Sequence, residues 1–261
     1  MMGNKNWLVQ IKDRVCTLKI NRPPMNTLNR ETLRELEEIL NRMETDESVG
    51  CLIITGAGNK MFSAGADISE FGDIGHPETA AETLRRAHEL FHRIERFPKP
   101  VIACINGNAL GGGNELQMAC HLAIAADTAE LGLPEVRLGL IPGYGGTQRL
   151  PRLIGRRRAL ELLLSGRRIS AQMAAEYGLI NRVVPAERVY EEAFSQAKQL
   201  AAGPPIALKA ILDSTIRGEE VLLKQGLEIE KENMLKVAQT EDAIEGVAAF
   251  FSKRAPSFKG R

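Results

Sequence analysis

The chain has 261 residues, 44% of them hydrophobic, and 34 Lys and Arg against 33 Asp and Glu give a net charge of +1. That is enough apolar material for a sizeable core in one or two domains, and so even a balance supplies no pull toward nucleic acid or an anionic membrane. Apolar runs such as Val101–Ile105 are far too short to span a bilayer, and the opening Met1-Met2-Gly3-Asn4-Lys5-Asn6-Trp7 carries no apolar secretory core. Cys16, Cys51, Cys104 and Cys120 stand apart in apolar contexts without a Cys-x-x-Cys pair, which predicts free thiols in a reducing, cytoplasmic compartment.

In chain order, Trp7–Lys12 and Val15–Ile20 alternate around Asp13-Arg14 and predict a hairpin. Residues 30–46 place Leu33, Leu36, Leu40 and Met43 on one face with charges opposite, an amphipathic helix. Residues 49–55 form a buried strand closed by Gly56-Ala57-Gly58, and a helix follows over 78–97 until Pro98 and Pro100 stop it. Strands are predicted at Val101–Ile105 and 122–125, with a glycine-rich helix between them. Beyond residue 147 the pattern turns helical, apart from a last short strand at Arg182–Val184. Val189, Ala193, Ala197 and Leu200 make one apolar stripe, and Leu223, Leu227 and Met234 another. Gly203-Pro204-Pro205 must interrupt a helix and marks the best boundary, so residues 1–202 read as an α/β core and 203–261 as a helical module.

The chemistry concentrates in three segments. Gly111-Gly112-Gly113-Asn114-Glu115 opens a helix, because Glu115-Leu116-Gln117-Met118-Ala119 are good helix formers. Glycines there let a ligand reach unpaired N–H groups where the helix dipole also favours negative charge. Leu133-Pro134-Glu135 sets a second carboxylate 20 positions on, and Ile141-Pro142-Gly143-Tyr144-Gly145-Gly146-Thr147-Gln148 follows. Donors for a developing oxyanion plus two acid/base groups suit proton chemistry beside a carbonyl.

Together with Phe62-Ser63-Ala64-Gly65-Ala66-Asp67-Ile68, the segments from Pro100 through Glu115 and from Glu135 through Leu150 resemble the crotonase superfamily, most closely its enoyl-CoA hydratases. The resemblance runs from Leu18 to the last residues and includes Gly166-Arg167-Arg168-Ile169-Ser170-Ala171 and Gly178-Leu179-Ile180. It implies a spiral of repeated strand–strand–helix turns with C-terminal helices that build homotrimers or homohexamers. It also implies a lyase of lipid metabolism and β-oxidation that adds water syn across the 2,3 double bond of trans-2-enoyl-CoA, with coenzyme A as part of the substrate and no bound cofactor. By position, the oxyanion hole maps to the N–H groups of Ala66 and Gly112, and the catalytic pair to Glu115, which activates water, and Glu135, which protonates Cα; neighbouring carboxylates titrate together, so that split is a choice of microstate. Coenzyme A contacts map to Ala64, Gly65, Asp67, Ile68 and Ser69, and its adenine end to Phe250 and Lys253. Three positions depart from the family pattern: Ser69 replaces a lysine, Leu133 a glutamine and His121 an aspartate. An isomerase and a methylglutaconyl-type hydratase are the alternatives within the family.

Two competitors come from other classes. His88-Glu89-Leu90-Phe91-His92 is a literal zinc-peptidase pattern. Only His76 and His121 remain as further histidines, no third ligand is evident, and the surrounding charges read as a solvated helix face, so no metal site is expected. Arg149, Arg152, Arg156, Arg157, Arg158, Arg167 and Arg168 form a basic cluster. RNA binding through the first long helix is opposed there by Glu31, Glu35, Glu37, Glu38 and Glu44, and the arginines read as subunit contacts, cofactor-phosphate contacts or ordinary surface charge.

Overall fold

The computed structural model describes residues 5–73 and 77–261, the side chains of residues 71–73 and 77 excepted. Strands β1 (Trp7–Lys12) and β2 (Val15–Ile20) pair antiparallel, with Lys12 opposite Val15. The turn needs positive φ at both central positions, and Asp13 and Arg14 supply 50° and 62°. Helix α1 (Arg30–Thr45) is capped by Asn29, whose side chain accepts from the Thr32 N–H. It lays Leu33, Leu36, Ile39, Leu40 and Met43 into the core.

From there the chain repeats one step. Strand β3 (Cys51–Gly56) is followed by β4 (Met61–Ser63) and α2 (Pro77–Glu95); β5 (Val101–Ile105) by β6 (Asn108–Leu110) and α3 (Gly112–Ala119); β7 (Leu122–Ala126) by β8 (Glu130–Gly132), α4 (Gly146–Ile154) and α5 (Arg156–Ser165). The longer strand of each pair joins one sheet, and the three-residue strand joins another. The first sheet has the order β1-β2-β3-β5-β7-β10, and the second β4-β6-β8-β9, with β9 at Arg168–Ser170 and β10 at Arg182–Val184. Alternating between two sheets while advancing in parallel register produces the spiral of strand–strand–helix turns that the resemblance implied. Parallel strands covered on both faces read as unbroken apolar runs, which is why β3 and β5 are buried at every residue and were legible. The strands of the second sheet were not anticipated, because three residues are too few to show a period.

Helix α6 (Ala171–Tyr177) leads into β10, and α7 (Val189–Ala201) covers the first sheet with buried Val189, Ala193, Ala197 and Ala201. Helices α8 (Pro205–Glu219) and α9 (Leu223–Val237) pack against each other with no buried residue on either, and α10 (Glu241–Phe251) follows. The apolar stripe of Leu223, Leu227 and Met234 is therefore exposed within the single chain. Glu35 corrects the reading of α1 as acidic surface. It is buried and accepts from the N–H groups of Lys5 and Asn6, tying β1 to the helix. Among the described residues no helix is long and apolar enough to cross a membrane. Cys16, Cys51 and Cys104 are free and buried, with burial pushing their thiols up to between about 11 and about 12.

Candidate active site

Three segments converge because glycines let backbones approach where a Cβ would collide. A Cβ on Gly113 would lie 2.3 Å from the Ser63 carbonyl oxygen, so α3 seats directly on β4. Gly65, with φ +92°, passes so close that a Cβ there would sit 2.5 Å from the Gly112 nitrogen and 2.8 Å from the Leu110 oxygen. The Ser63 hydroxyl accepts from the Gly65 N–H and donates to the Asn26 carbonyl, which fixes the turn. Leu28 N–H donates to Gly65 O and Asp67 N–H to Leu28 O, so the bridge between Leu28 and Ala66 uses the groups flanking Ala66 and leaves its own N–H outside it. Neither Ala66 N–H nor Gly112 N–H makes a hydrogen bond among the described residues. They are neighbours in space: a Cβ built on Gly112 would lie 3.2 Å from the Ala66 nitrogen. Two neighbouring backbone donors without a partner can act as a cradle for an oxygen that gains charge.

Glu115 lies one turn into α3, where it is 1% exposed. Its Oε1 accepts from the N–H groups of Tyr144 (2.8 Å) and Gly146 (2.7 Å), and a Cβ on Gly146 would be 3.0 Å from that oxygen. Burial, with a smaller contribution from the Glu135 charge, pushes its carboxyl up to about 7, against the two N–H donors and Arg149. Glu135 stands in the 3₁₀ turn Pro134–Leu138 after β8, and burial raises its carboxyl too. Its Oε2 is buried and has no hydrogen-bond partner among the described residues, while Oε1 lies 3.1 Å from where a Cβ on Gly111 would be. The Glu115 carboxyl, raised to about 7, and the Glu135 carboxyl with its orphaned oxygen stand close enough for their charges to interact. They can trade a proton with a bound water or carbon at ordinary pH.

The other anticipated residues divide. Ala64, Gly65, Asp67, Ile68 and Ser69 form the rim of the cradle, and Ile68 projects into solvent. Asp67 is clasped by Ser69 Oγ (2.7 Å), Arg22 Nη1 (2.9 Å) and Thr27 Oγ1 (3.2 Å), which hold its carboxyl down at about 2. The Ser69 hydroxyl is thus engaged with Asp67, as is its N–H. Phe250 and Lys253 sit exposed at the end of α10, and no hydrogen bond, ion pair or ring contact joins them to that rim. Leu133 is buried beside the turn that carries Glu135. His121, the third departure, accepts from Val101 N–H at Nδ1 and donates from Nε2 to Glu95 O; burial lowers its pKa and keeps the ring neutral.

The His88–His92 motif and the basic cluster also resolve into local contacts. His88 Nε2 donates to the Gly143 carbonyl (2.7 Å), and His92 Nδ1 lies 3.5 Å from Glu95 Oε2; His76 lies outside the described residues. Among the described residues no three His, Cys, Asp or Glu side chains are grouped to hold a metal ion. Arg149 proves to be an internal brace rather than a surface contact: it forks onto both oxygens of Glu95 at 2.8 Å each and donates to the Tyr144 carbonyl. Arg167 and Arg168 pair with Glu161 and Glu130, Arg152 bonds the Gln148 carbonyl, and Arg158 stacks 4.5 Å over the Tyr177 ring. The functional partner that the sequence reading missed is the turn 143–146, whose amides hold Glu115. Its Gly143-Tyr144-Gly145-Gly146 run was visible, but its target was not.

Comparison with known proteins agrees with this geometry. The sequence profile of the family described as enoyl-CoA hydratase/isomerase matches residues 10–261. A "Probable enoyl-CoA hydratase" of Bacillus subtilis is 44% identical over 94% of this chain and 95% of its own. The 2,3-dehydroadipyl-CoA hydratase of Escherichia coli is 40% identical over 97% and 98%. The crystal structure of an enoyl-CoA hydratase from Bacillus anthracis superposes with a TM-score of 0.94 at 43% identity, covering 98% of this chain and all of the other. With the fold, the paired free amides and both glutamates in place, the chain belongs to the enoyl-CoA hydratase/isomerase family of the crotonase superfamily.

Proposed function

We infer that the protein is an enoyl-CoA hydratase, a hydro-lyase that adds water syn across the 2,3 double bond of trans-2-enoyl-CoA. The observation that carries this reading is the pairing of two carboxyls that burial raises above the ordinary range with two backbone amides that make no hydrogen bond among the described residues. The thioester oxygen sits between Ala66 N–H and Gly112 N–H, and each donor lowers the barrier to enolate character by about 3–4 kcal/mol. Glu115, fixed through Oε1, takes a proton from water as the oxygen adds to Cβ. Glu135 delivers a proton to Cα from the oxygen that has no hydrogen-bond partner among the described residues. The water's hydroxyl ends on Cβ and its proton on Glu115, and that proton passes to Glu135 through the next water to enter, so one proton between the pair closes the cycle without a metal or a bound cofactor; coenzyme A arrives as part of the substrate.

The cofactor half of that substrate runs along Ala64, Gly65, Asp67, Ile68 and Ser69, with Phe250 and Lys253 at its adenine end. The helical module from residue 203 assembles the protein as a homotrimer, stacked as a hexamer. Support comes from α8, α9 and α10, which leave Ile211, Leu222, Leu223, Met234, Phe250 and Phe251 exposed with nothing among the described residues to cover them. Fatty-acid β-oxidation in the cytoplasm, away from nucleic acid and membrane, is the setting that fits an acyl-CoA substrate and four unpaired cysteines. The test is a spectrophotometric panel of enoyl-CoA thioesters from short to long chain, with methylglutaconyl-CoA and 3-enoyl-CoA included. Loss of the conjugated enoyl absorbance on one or more 2-enoyl substrates is expected. Isomerisation of 3-enoyl-CoA with no hydration of any 2-enoyl-CoA would overturn the reading in favour of an isomerase.

A further inference from the structure

The turn that holds Glu115 is itself held from outside. Glu115 depends on the N–H groups of Tyr144 and Gly146, and that turn has no secondary structure of its own before α4 begins at Gly146. Three contacts from α2 and α4 fix it. His88 Nε2 donates to Gly143 O at 2.7 Å, the Phe91 ring meets Tyr144 edge-on at 5.6 Å, and Arg149 Nη1 donates to Tyr144 O at 2.8 Å. Arg149 is anchored in turn by Nε and Nη2 on the two oxygens of Glu95, a fork-to-fork pair in which the arginine side chain is 12% exposed. Gly145, at φ +105°, completes the arrangement, since a Cβ there would lie 2.1 Å from Arg149 Nη1.

We propose that His88, Glu95 and Arg149 form a positioning frame for the general base. By clamping the carbonyls of Gly143 and Tyr144 they fix the turn that presents the N–H groups of Tyr144 and Gly146 to Glu115 Oε1, so that its other oxygen, which has no hydrogen bond among the described residues, keeps one orientation toward the reacting carbon and water. The inference rests on Glu115 acting as proposed above, and it gives the His-x-x-x-His spacing on α2 a use: His88 reaches the turn and His92 flanks Glu95. The chain positions 88, 95 and 149 become one device only because α2 crosses the start of α4. Arg149 is a bidentate donor and not a point charge here, so lysine cannot serve both Glu95 and Tyr144 O at once.

The groups facing Glu115 set the pH readout. Glu135 approaches from the turn after β8, Arg149 from α4 and the Tyr144 phenol from the turn, with Glu95, His88 and His92 behind on α2 and Arg30 and Glu70 beyond the phenol. Arg149 is the nearby cation that favours ionised Glu115.

The experiment measures kcat, KM, melting temperature and the pH profile of kcat for the full-length wild type, Arg149→Met, Arg149→Lys, Glu95→Gln and His88→Ala on one enoyl-CoA that the wild type hydrates. Misplacing a base by a fraction of an ångström predicts that Arg149→Met lowers kcat by about 10–10²-fold while KM stays within about two-fold. The acidic limb of its kcat profile moves to higher pH. Arg149→Lys returns the limb toward wild type without restoring kcat, and Glu95→Gln, which keeps the cation and removes an anion, lowers kcat less than Arg149→Met with no move of the limb to higher pH. Unchanged kcat and limb in folded Arg149→Met, or a kcat loss that tracks melting temperature with the limb unmoved, overturns the frame. Should Arg149→Met not fold, exposed His88→Ala decides: a several-fold fall in kcat at unchanged KM and melting temperature supports the frame, and unchanged kcat refutes it. Failure of the wild type to hydrate any enoyl-CoA would strike the functional reading, a result distinct from either.

Discussion

Glu115→Gln separates what the buried carboxyl does for catalysis from what it does to stability. Glutamine keeps an oxygen to accept from Tyr144 N–H and Gly146 N–H but cannot ionise. In the wild type, burial raises the carboxyl from 4.5 to about 7. Its native pKa lies above its unfolded one, so the native state binds the proton more tightly and loses stability as pH rises. The penalty is absent below 4.5, grows between 4.5 and about 7 and is constant above, where it amounts to about 3 kcal/mol. Glutamine escapes that penalty. Differential scanning of wild type and variant across this window should show their melting temperatures diverge with rising pH, reaching a gap of about 5–10 °C in favour of Glu115→Gln. The same variant should lose about 10²–10⁴-fold in kcat, a stability gain opposed to function. A gap of the same size at every pH, or a wild type that gains on the variant above neutrality, would show that Glu115 ionises in the folded protein at no cost and would refute the desolvation argument.

Glu135→Gln should also lower kcat by about 10²–10⁴-fold with little change in KM, and the double variant with Glu115→Gln should lose far less than the product of the two effects; near-wild-type hydration by Glu135→Gln would contradict a two-carboxylate mechanism. Gly65→Ala should abolish activity, because its Cβ meets the Gly112 nitrogen and the Leu110 oxygen at a φ of +92°; retained kcat in steady-state assays would mean that Ala66 and Gly112 do not bind the thioester oxygen. Light scattering at micromolar concentration should report a trimer or hexamer, and truncation before Pro204 should give insoluble or inactive protein; a fully active monomer would count against the assembly.

Much of the fold was legible because its signals are local. The helix α1 stripe, the β3 and β5 apolar runs and the prolines that end α2 each declare themselves within a few residues. The glycine-rich start of α3 and both glutamates were equally plain, since residue type and spacing carry that chemistry. What a sequence period cannot carry is where the chain returns. The second sheet is built from strands too short to have a pattern, and its existence is decided by β4, β6, β8 and β9 meeting in space. The N–H groups of Ala66 and Gly112 become neighbours only because Gly65 and Gly113 admit a close crossing. Glu35, counted as repelling surface, is buried because the start of β1 lies over α1 and supplies its donors. Arg149 looked like one of seven basic side chains, and its fork onto Glu95, 54 positions away, exists only in the folded molecule. The amino-acid sequence by itself therefore determined the longer helices and strands and named the candidate acid/base groups, through periodicity and side-chain chemistry. The tertiary structure decided which backbone amides stand free, which charges are buried and which pairs meet, because desolvation and hydrogen bonding act across space and not along the chain.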